Sequence, residues 1–311
     1  MPGGAEYGAD EHSDLTIAQF SARFGGYSDD GAAAAAAAPA AQVQGDGSVD
    51  WRDASKNPLK LVAVTHVKNQ GAFGTCWSFG VAENLEGLNV RQGNTLVRKP
   101  RCCCWCCCPC SCSWRPCCSC CSCSCSSSLP PRPPPLTPPP LLQVNISEQE
   151  FISCCKTCQG RSAENSFDWL ANNTGGVPAL EATYPYNGSA KAPCVYKTAP
   201  KVKGMKLTRW GRVVDDGTGA PVVAGLQVNG PMGMGVDATC FAGYKGGVIR
   251  NCTSKGVDHA VLMVAAGTDA GVKYFTIKNS WGQKWGEEGY VRIEQGKVWW
   301  GKLSMIATYV K

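Results

Sequence analysis

The chain has 311 residues, a net charge of +6, 36 glycines and 17% charged residues. That length can build two lobes, and low charge with abundant glycine suits a compact, loop-rich secreted fold more than a helical bundle. The positive charge forms no stripe that would argue for nucleic acid, and no apolar run is long enough to span a membrane.

Of the 21 cysteines, 14 lie between residues 102 and 125. The other seven are Cys76, Cys154, Cys155, Cys158, Cys194, Cys240 and Cys252. One nucleophile plus six others fits a secreted thiol enzyme with up to three bridges.

In chain order, residues 1–46 do not read as part of a catalytic core. Residues 33–41 are an Ala-rich tract with one proline, a linker or a frayed helix. His66 lies on a different segment from the loop before Cys76, so it reads as a surface or structural histidine; His12 and His259 are the only others. Residues 70–80 form a Gly-rich loop that runs into Cys76. The pattern after it predicts a helix from Cys76 to about Arg91, with Phe79, Val81, Ala82, Leu85 and Leu88 inward and Gly93-Asn94 as the stop. A thiol on the first turn of a helix faces backbone N–H groups and the positive end of the dipole, which lowers its pKa and makes it a nucleophile. Gln70 can set a carboxamide beside that sulfur as an oxyanion donor. The competing reading of Cys76 is a small buried hydrophobe.

Residues 98–143 are a Cys/Ser/Trp block followed by a proline-rich run. A metal-binding cysteine tract, a disulfide knob on a polyproline stalk, and a retained or misannotated intron all fit this composition. With so few ordinary core residues, the block is expected to be disordered. Ser147 opens a short capped helix through Ile152, which leads to Cys154-Cys155-Lys156-Thr157-Cys158. The CxxC invites a zinc or redox reading, but no second CxxC or His pair lies near it outside the low-complexity block, so no metal site and no cofactor are expected. Phe167-Asp168-Trp169-Leu170 with Gly175-Gly176 predicts an amphipathic helix and its stop.

From about Lys203 the period changes to two, predicting short strands at Val213-Val214, Val222-Val223, Met232–Val236, residues 261–265, 274–277 and 290–293. Helices first and strands later give an α+β fold: a mainly helical lobe (47–97 and 144–204), a barrel-like β lobe (205–311), and the site in the cleft between them. His259 falls in an apolar strand-like run, and Asn279 follows the strand at 274–277, with Trp281 beside it.

With those residues on the page, the chain resembles the papain-like cysteine peptidases of the cathepsin L type. The order Gln70, Cys76, His259, Asn279 and the flanking Cys76-Trp77-Ser78-Phe79, Asp258-His259-Ala260 and Asn279-Ser280-Trp281-Gly282 carry the resemblance, from about Asp50 to Tyr309. It implies a two-lobe papain-like fold and a cysteine endopeptidase with catalytic Cys76, His259, Asn279 and Gln70. It also implies substrate contacts at Gly74, Gly160, Ala260, Trp281 and Met305. The alternative is a catalytically impaired relative that binds peptides or regulates proteases. Residues 1–46 resemble a truncated inhibitory propeptide; a plain N-terminal tail is the other reading. Processing would fall in residues 42–48, before Val49-Asp50-Trp51-Arg52.

The resemblance makes Cys194 the bridge partner of Cys154 or Cys155. Phe73 stands where the family usually has a cysteine, which leaves Cys158 without its usual partner. Cys252 has lost its own, and Cys240–Cys252 is a local replacement. Arg161 stands where the family often has a glycine. Implied partners are peptide or protein substrates and cystatin-type inhibitors, with no nucleic acid or membrane, for a monomer. The implied setting is a lysosome-like acidic compartment or the exterior, although no signal peptide is legible after Met1. Four Asn-x-Ser/Thr sequons, at Asn145, Asn172, Asn187 and Asn251, permit glycosylation there.

Overall fold

Residues 4–9, 15, 16, 19, 41–94, 144–158, 163–252 and 256–297 are described by a computed structural model, with the backbone alone for 304–308. The chain divides into one unit, Met1–Thr95 with Gln143–Lys311, and a second, Leu96–Leu142. The Cys/Pro-rich block, the Ala-rich tract, His12, Gly160 and Arg161 lie outside the described residues.

Helix α1 spans Cys76–Arg91, the run expected from the sequence. A Gly-rich loop sets its start, and Gly93, at φ +79°, ends it with its N–H on Val90 O at 3.0 Å. Its surroundings differ from the expected one-sided burial. Every residue from Cys76 to Val90 is buried, including Glu83, Asn84, Glu86 and Asn89. Helix α2, Glu148–Cys154, is capped by Ser147 Oγ, which accepts from Glu150 N at 3.0 Å. Helix α3, Ala163–Thr174, stops at Gly175-Gly176, both at positive φ, where Gly176 N–H reaches Leu170 O. These helices enclose one core: Trp77, Val81, Leu85, Leu88, Ile146, Phe151, Phe167 and Leu170, with Cys76 and Ala260 at its edge.

The sheet carries β3 (Trp210–Val214), β4 (Met232–Val236), β6 (Val248–Ile249), β7 (His259–Asp269), β8 (Val272–Lys278), β9 (Tyr290–Glu294) and β10 (Ser304–Thr308). Their order is β3-β10-β4-β7-β8-β9-β6, antiparallel except for β6 with β9. Strand β2, Val49–Asp50, adds to β7. Helix α4, Ala220–Asn229, corrects the strand expected at Val222-Val223. Its apolar run has no period-two alternation; Pro221 in the first turn and Gly230 at the C-cap bound a helix.

The lobe boundary also moves. Val49, Trp51, Ala63 and Val64 pack in the β-side core with Leu226, Met263 and Phe275, because β2 joins the sheet. Met205 and Leu207 pack in the helical core instead. At the N-terminus, β1 (Glu6–Tyr7) pairs antiparallel with β5 (Tyr244–Gly246), and the Tyr7 ring meets Tyr244 edge-on. Among the described residues, no helix is long and apolar enough to cross a membrane.

Candidate active site

Cys76 is the first residue of α1, fully buried, and the one cysteine outside a bridge among the described residues. The turn before it is fixed twice: Thr75 N–H and Gln70 Nε2 both donate to Phe73 O at 2.8 Å. The Ala260 and Trp77 backbone N–H groups favour the thiolate form of Cys76. Ala260, the residue after His259 at the start of β7, is buried in the same core as Cys76. Helix and strand pack closely there: a methyl at Gly80 would lie 3.6 Å from Ala260 Cβ.

His259 is buried, and its Nε2 lies 2.8 Å from Asn279 Oδ1. A carboxamide oxygen only accepts, so Nε2 carries the proton and Nδ1 is the basic nitrogen. Asn279 Oδ1 also accepts Ser280 N–H at 2.8 Å, which holds the oxygen toward the ring. Trp281 stacks on the imidazole at 5.0 Å and 30°, and is braced by Trp285 and Phe241. Indole over imidazole keeps water from the His259–Asn279 bond.

Gln70 is buried and anchored at four points. Its N–H donates to Ser280 O at 2.8 Å, and its Oε1 accepts Ser280 Oγ–H at 2.6 Å. Its Nε2 donates to Phe73 O, and its carbonyl accepts the Tyr186 hydroxyl at 2.7 Å. Because the phenol proton is used there, the Thr75 hydroxyl donates to the Tyr186 oxygen, at 2.7 Å. The Ser280 contact fixes which end of the amide is the donor end.

The thiol departs from the sequence expectation. Burial pushes Cys76 up to about 12, with Asp258 adding to the rise, while the Ala260 and Trp77 N–H groups pull it down. The first-turn position does favour a thiolate, but desolvation wins when no water reaches the sulfur.

Of the remaining expected residues, Gly74 is exposed on the loop before Cys76, and Ala260 is buried behind it. Met305 is in β10 opposite Val213, and its side chain lies outside the described residues, as Gly160 does. His66 is exposed. Cys154 is joined to Cys194 and Cys240 to Cys252. Cys158, read from sequence as having lost its partner, is instead joined to Cys155: a tight turn sets their Cα atoms 5.3 Å apart. Ser280, Tyr186 and Thr75 were not singled out by sequence, since a hydroxyl that braces another side chain leaves no spacing signal.

Two buried charge clusters likewise leave no signal in the sequence. Lys278 Nζ meets Glu83 at 2.8 Å and Thr65 Oγ1 at 3.1 Å, one residue before Asn279. Lys68 Nζ meets Glu86 at 2.8 Å and also Glu148, both carboxylates buried. Burial pulls Lys68 down, but Glu86 and then Glu148 outweigh it and hold the ammonium charged.

The family profile described as Papain family cysteine protease matches residues 46–115 and 113–310. The chain belongs to the papain family of cysteine proteases. It is 31% identical over 300 residues to a cysteine proteinase of Trypanosoma brucei brucei, covering 94% of this chain and 54% of that protein. It is 32% identical over 307 residues to cysteine proteinase B of Leishmania mexicana, covering 94% and 56%. The chain thus spans about half the length of the curated relatives it matches. Digestive procathepsin L2 from the larval midgut of Tenebrio molitor shares the fold at TM-score 0.71 and 21% identity, over 99% of this chain and 84% of that one. Bromelain of Ananas comosus, solved with the inhibitor E64, aligns at TM-score 0.60 and 23% identity, over 86% and 100%. This is the papain-like two-lobe α+β fold.

Proposed function

We propose that this papain-family chain is an endopeptidase that cleaves peptide bonds through a thioester on Cys76. The observation that carries the reading is the buried His259–Asn279 bond under Trp281, one residue from Ala260, which shares a buried core with Cys76. His259 Nδ1 takes the thiol proton, and the sulfur attacks the substrate carbonyl carbon. The developing oxyanion is met by Gln70 Nε2 and the Cys76 N–H, donors held before the reaction begins. As the tetrahedral intermediate collapses, the C–N bond breaks and His259 returns the proton to the leaving amine. Water, deprotonated by the same nitrogen, then attacks the thioester and frees the acid and the thiol. Asn279 keeps the ring in the productive tautomer throughout. Since burial holds the resting thiol protonated, the sulfur becomes a thiolate only as the imidazolium forms beside it.

The same reading gives the chain peptide or protein substrates, cystatin-type inhibitors, a monomeric state, and work in an acidic, reducing compartment. Cys76→Ala and His259→Ala should each abolish hydrolysis of a fluorogenic peptide, and Cys76→Ala should abolish labelling by a thiol-reactive epoxide. Full activity in either variant overturns the proposal. The complete burial of Cys76 favours a second reading, a peptide-binding relative with an unreactive thiol. Wild-type protein that binds peptides but takes no epoxide label at mildly acidic pH would select it.

A further inference from the structure

Phe73 combines exposure with rigidity at the edge of the site. The residue is 46% exposed, although the loop that carries it ends at the buried nucleophile. One side of the ring rests on Gly188, where a methyl group would come within 2.4 Å of it; only glycine leaves that space, and its φ of +73° also favours glycine. The ring meets Tyr186 edge-on at 6.5 Å, and Tyr186 in turn meets buried Phe79 at 4.9 Å. Tyr186 is pinned by Thr75 and by the Gln70 carbonyl. The Phe73 carbonyl accepts from the same Gln70 amide that would meet the oxyanion. An aromatic side chain held this way and still nearly half exposed loses little freedom when a ligand covers it.

We propose that Phe73 is a specificity-determining platform that takes an apolar or aromatic side chain from the substrate residue whose carbonyl is attacked. This rests on the peptidase reading. The assignment to the acyl side follows from chemistry: Gln70 Nε2 serves the carbonyl oxygen of that residue, and the Phe73 backbone is bonded to that amide. The side chain on that same substrate residue is the one assigned to the ring, because Phe73 holds the donor that meets its carbonyl. An aromatic or branched aliphatic group there gains an edge or face contact and covers apolar surface.

The test is a fluorogenic peptide series in which the acyl-side residue is Gly, Leu, Phe, Lys or Glu, with a parallel series varied on the leaving side. Wild type should prefer Phe and Leu over Gly on the acyl side. Phe73→Ala should lower the Phe-to-Gly ratio of kcat/KM about tenfold, the scale for losing one apolar contact. Phe73→Glu, a change at an exposed ring, should turn the acyl-side preference toward Lys. Acyl-side ratios that stay unchanged in both variants, a loss shared equally by all peptides, or a change confined to the leaving side would each overturn this proposal alone. No cleavage by wild type, or cleavage that survives Cys76→Ala, would overturn the peptidase reading and the platform with it.

Discussion

Replacing Glu148 with glutamine should weaken the pH dependence of stability between about pH 4.5 and 7. Lys68 is shared by two fully buried carboxylates, Glu86 and Glu148, with Glu181 farther off at 3.8 Å. One cation cannot balance both, so one acid holds a proton well above the usual range. Burial alone would raise Glu86, yet Lys68 and then Lys278 pull it below its ordinary value. Glu148 goes the other way: burial pushes it up to about 7, Lys68 pulls down, and Glu86 and Glu181 push up again. A carboxyl whose folded pKa lies above its unfolded value stabilises fully below the unfolded pKa of 4.5, and that stability is lost as pH rises to about 7. The shift corresponds to about 3 kcal/mol. Glu148→Gln keeps the shape and an oxygen for Lys68 but cannot ionise. Urea unfolding at pH 4.5, 5.5, 6.5 and 7.5 reads the difference: the variant should resemble wild type at the acid end and gain on it steadily toward neutrality. Parallel pH profiles for the two proteins would refute the shared-proton argument.

Other variants probe the same architecture. Ser280→Ala removes the hydroxyl that fixes the Gln70 amide; kcat should fall about tenfold with little change in KM, in steady-state kinetics, as a weakened oxyanion donor requires. Lys278→Met strands Glu83 in the core; it should cost about 3–5 kcal/mol in urea, and adding Glu83→Gln should restore part of that. Removing the Cys154–Cys194 bridge, which spans 40 residues, should cost about 4 kcal/mol by loop entropy. Removing Cys155–Cys158, which spans three, should cost about 1.5 kcal/mol, and the two double-serine variants compared by denaturation check the ranking.

Local chemistry written in adjacent residues was legible from the chain alone. Glycines around Cys76–Arg91 mark where that helix begins and stops, Ser147 marks the start of α2, and the alternation at Met232–Val236 marks a central strand. The residue types of the candidate site were legible too, because a thiol after a Gly-rich loop, a histidine in an apolar run and an Asn-Ser-Trp-Gly stretch are each unusual. At Val222-Val223 sequence pattern and structure differ, since a short apolar run fits a buried helix as well as a strand, and Pro221 in the first turn favours the helix.

Tertiary structure decided everything that depends on distant neighbours. It turned the first-turn cysteine from a group favoured as an anion into a thiol held protonated by burial. It made α1 a helix buried on every side, with Glu83 and Glu86 matched to Lys278 and Lys68 from other segments. It also gave Cys158 a partner three residues away and left Phe73 partly exposed. The division has one physical cause. Hydrogen bonds that start helices and turns form between residues close in the chain, whereas desolvation and ion pairing depend on which remote segments close over a group.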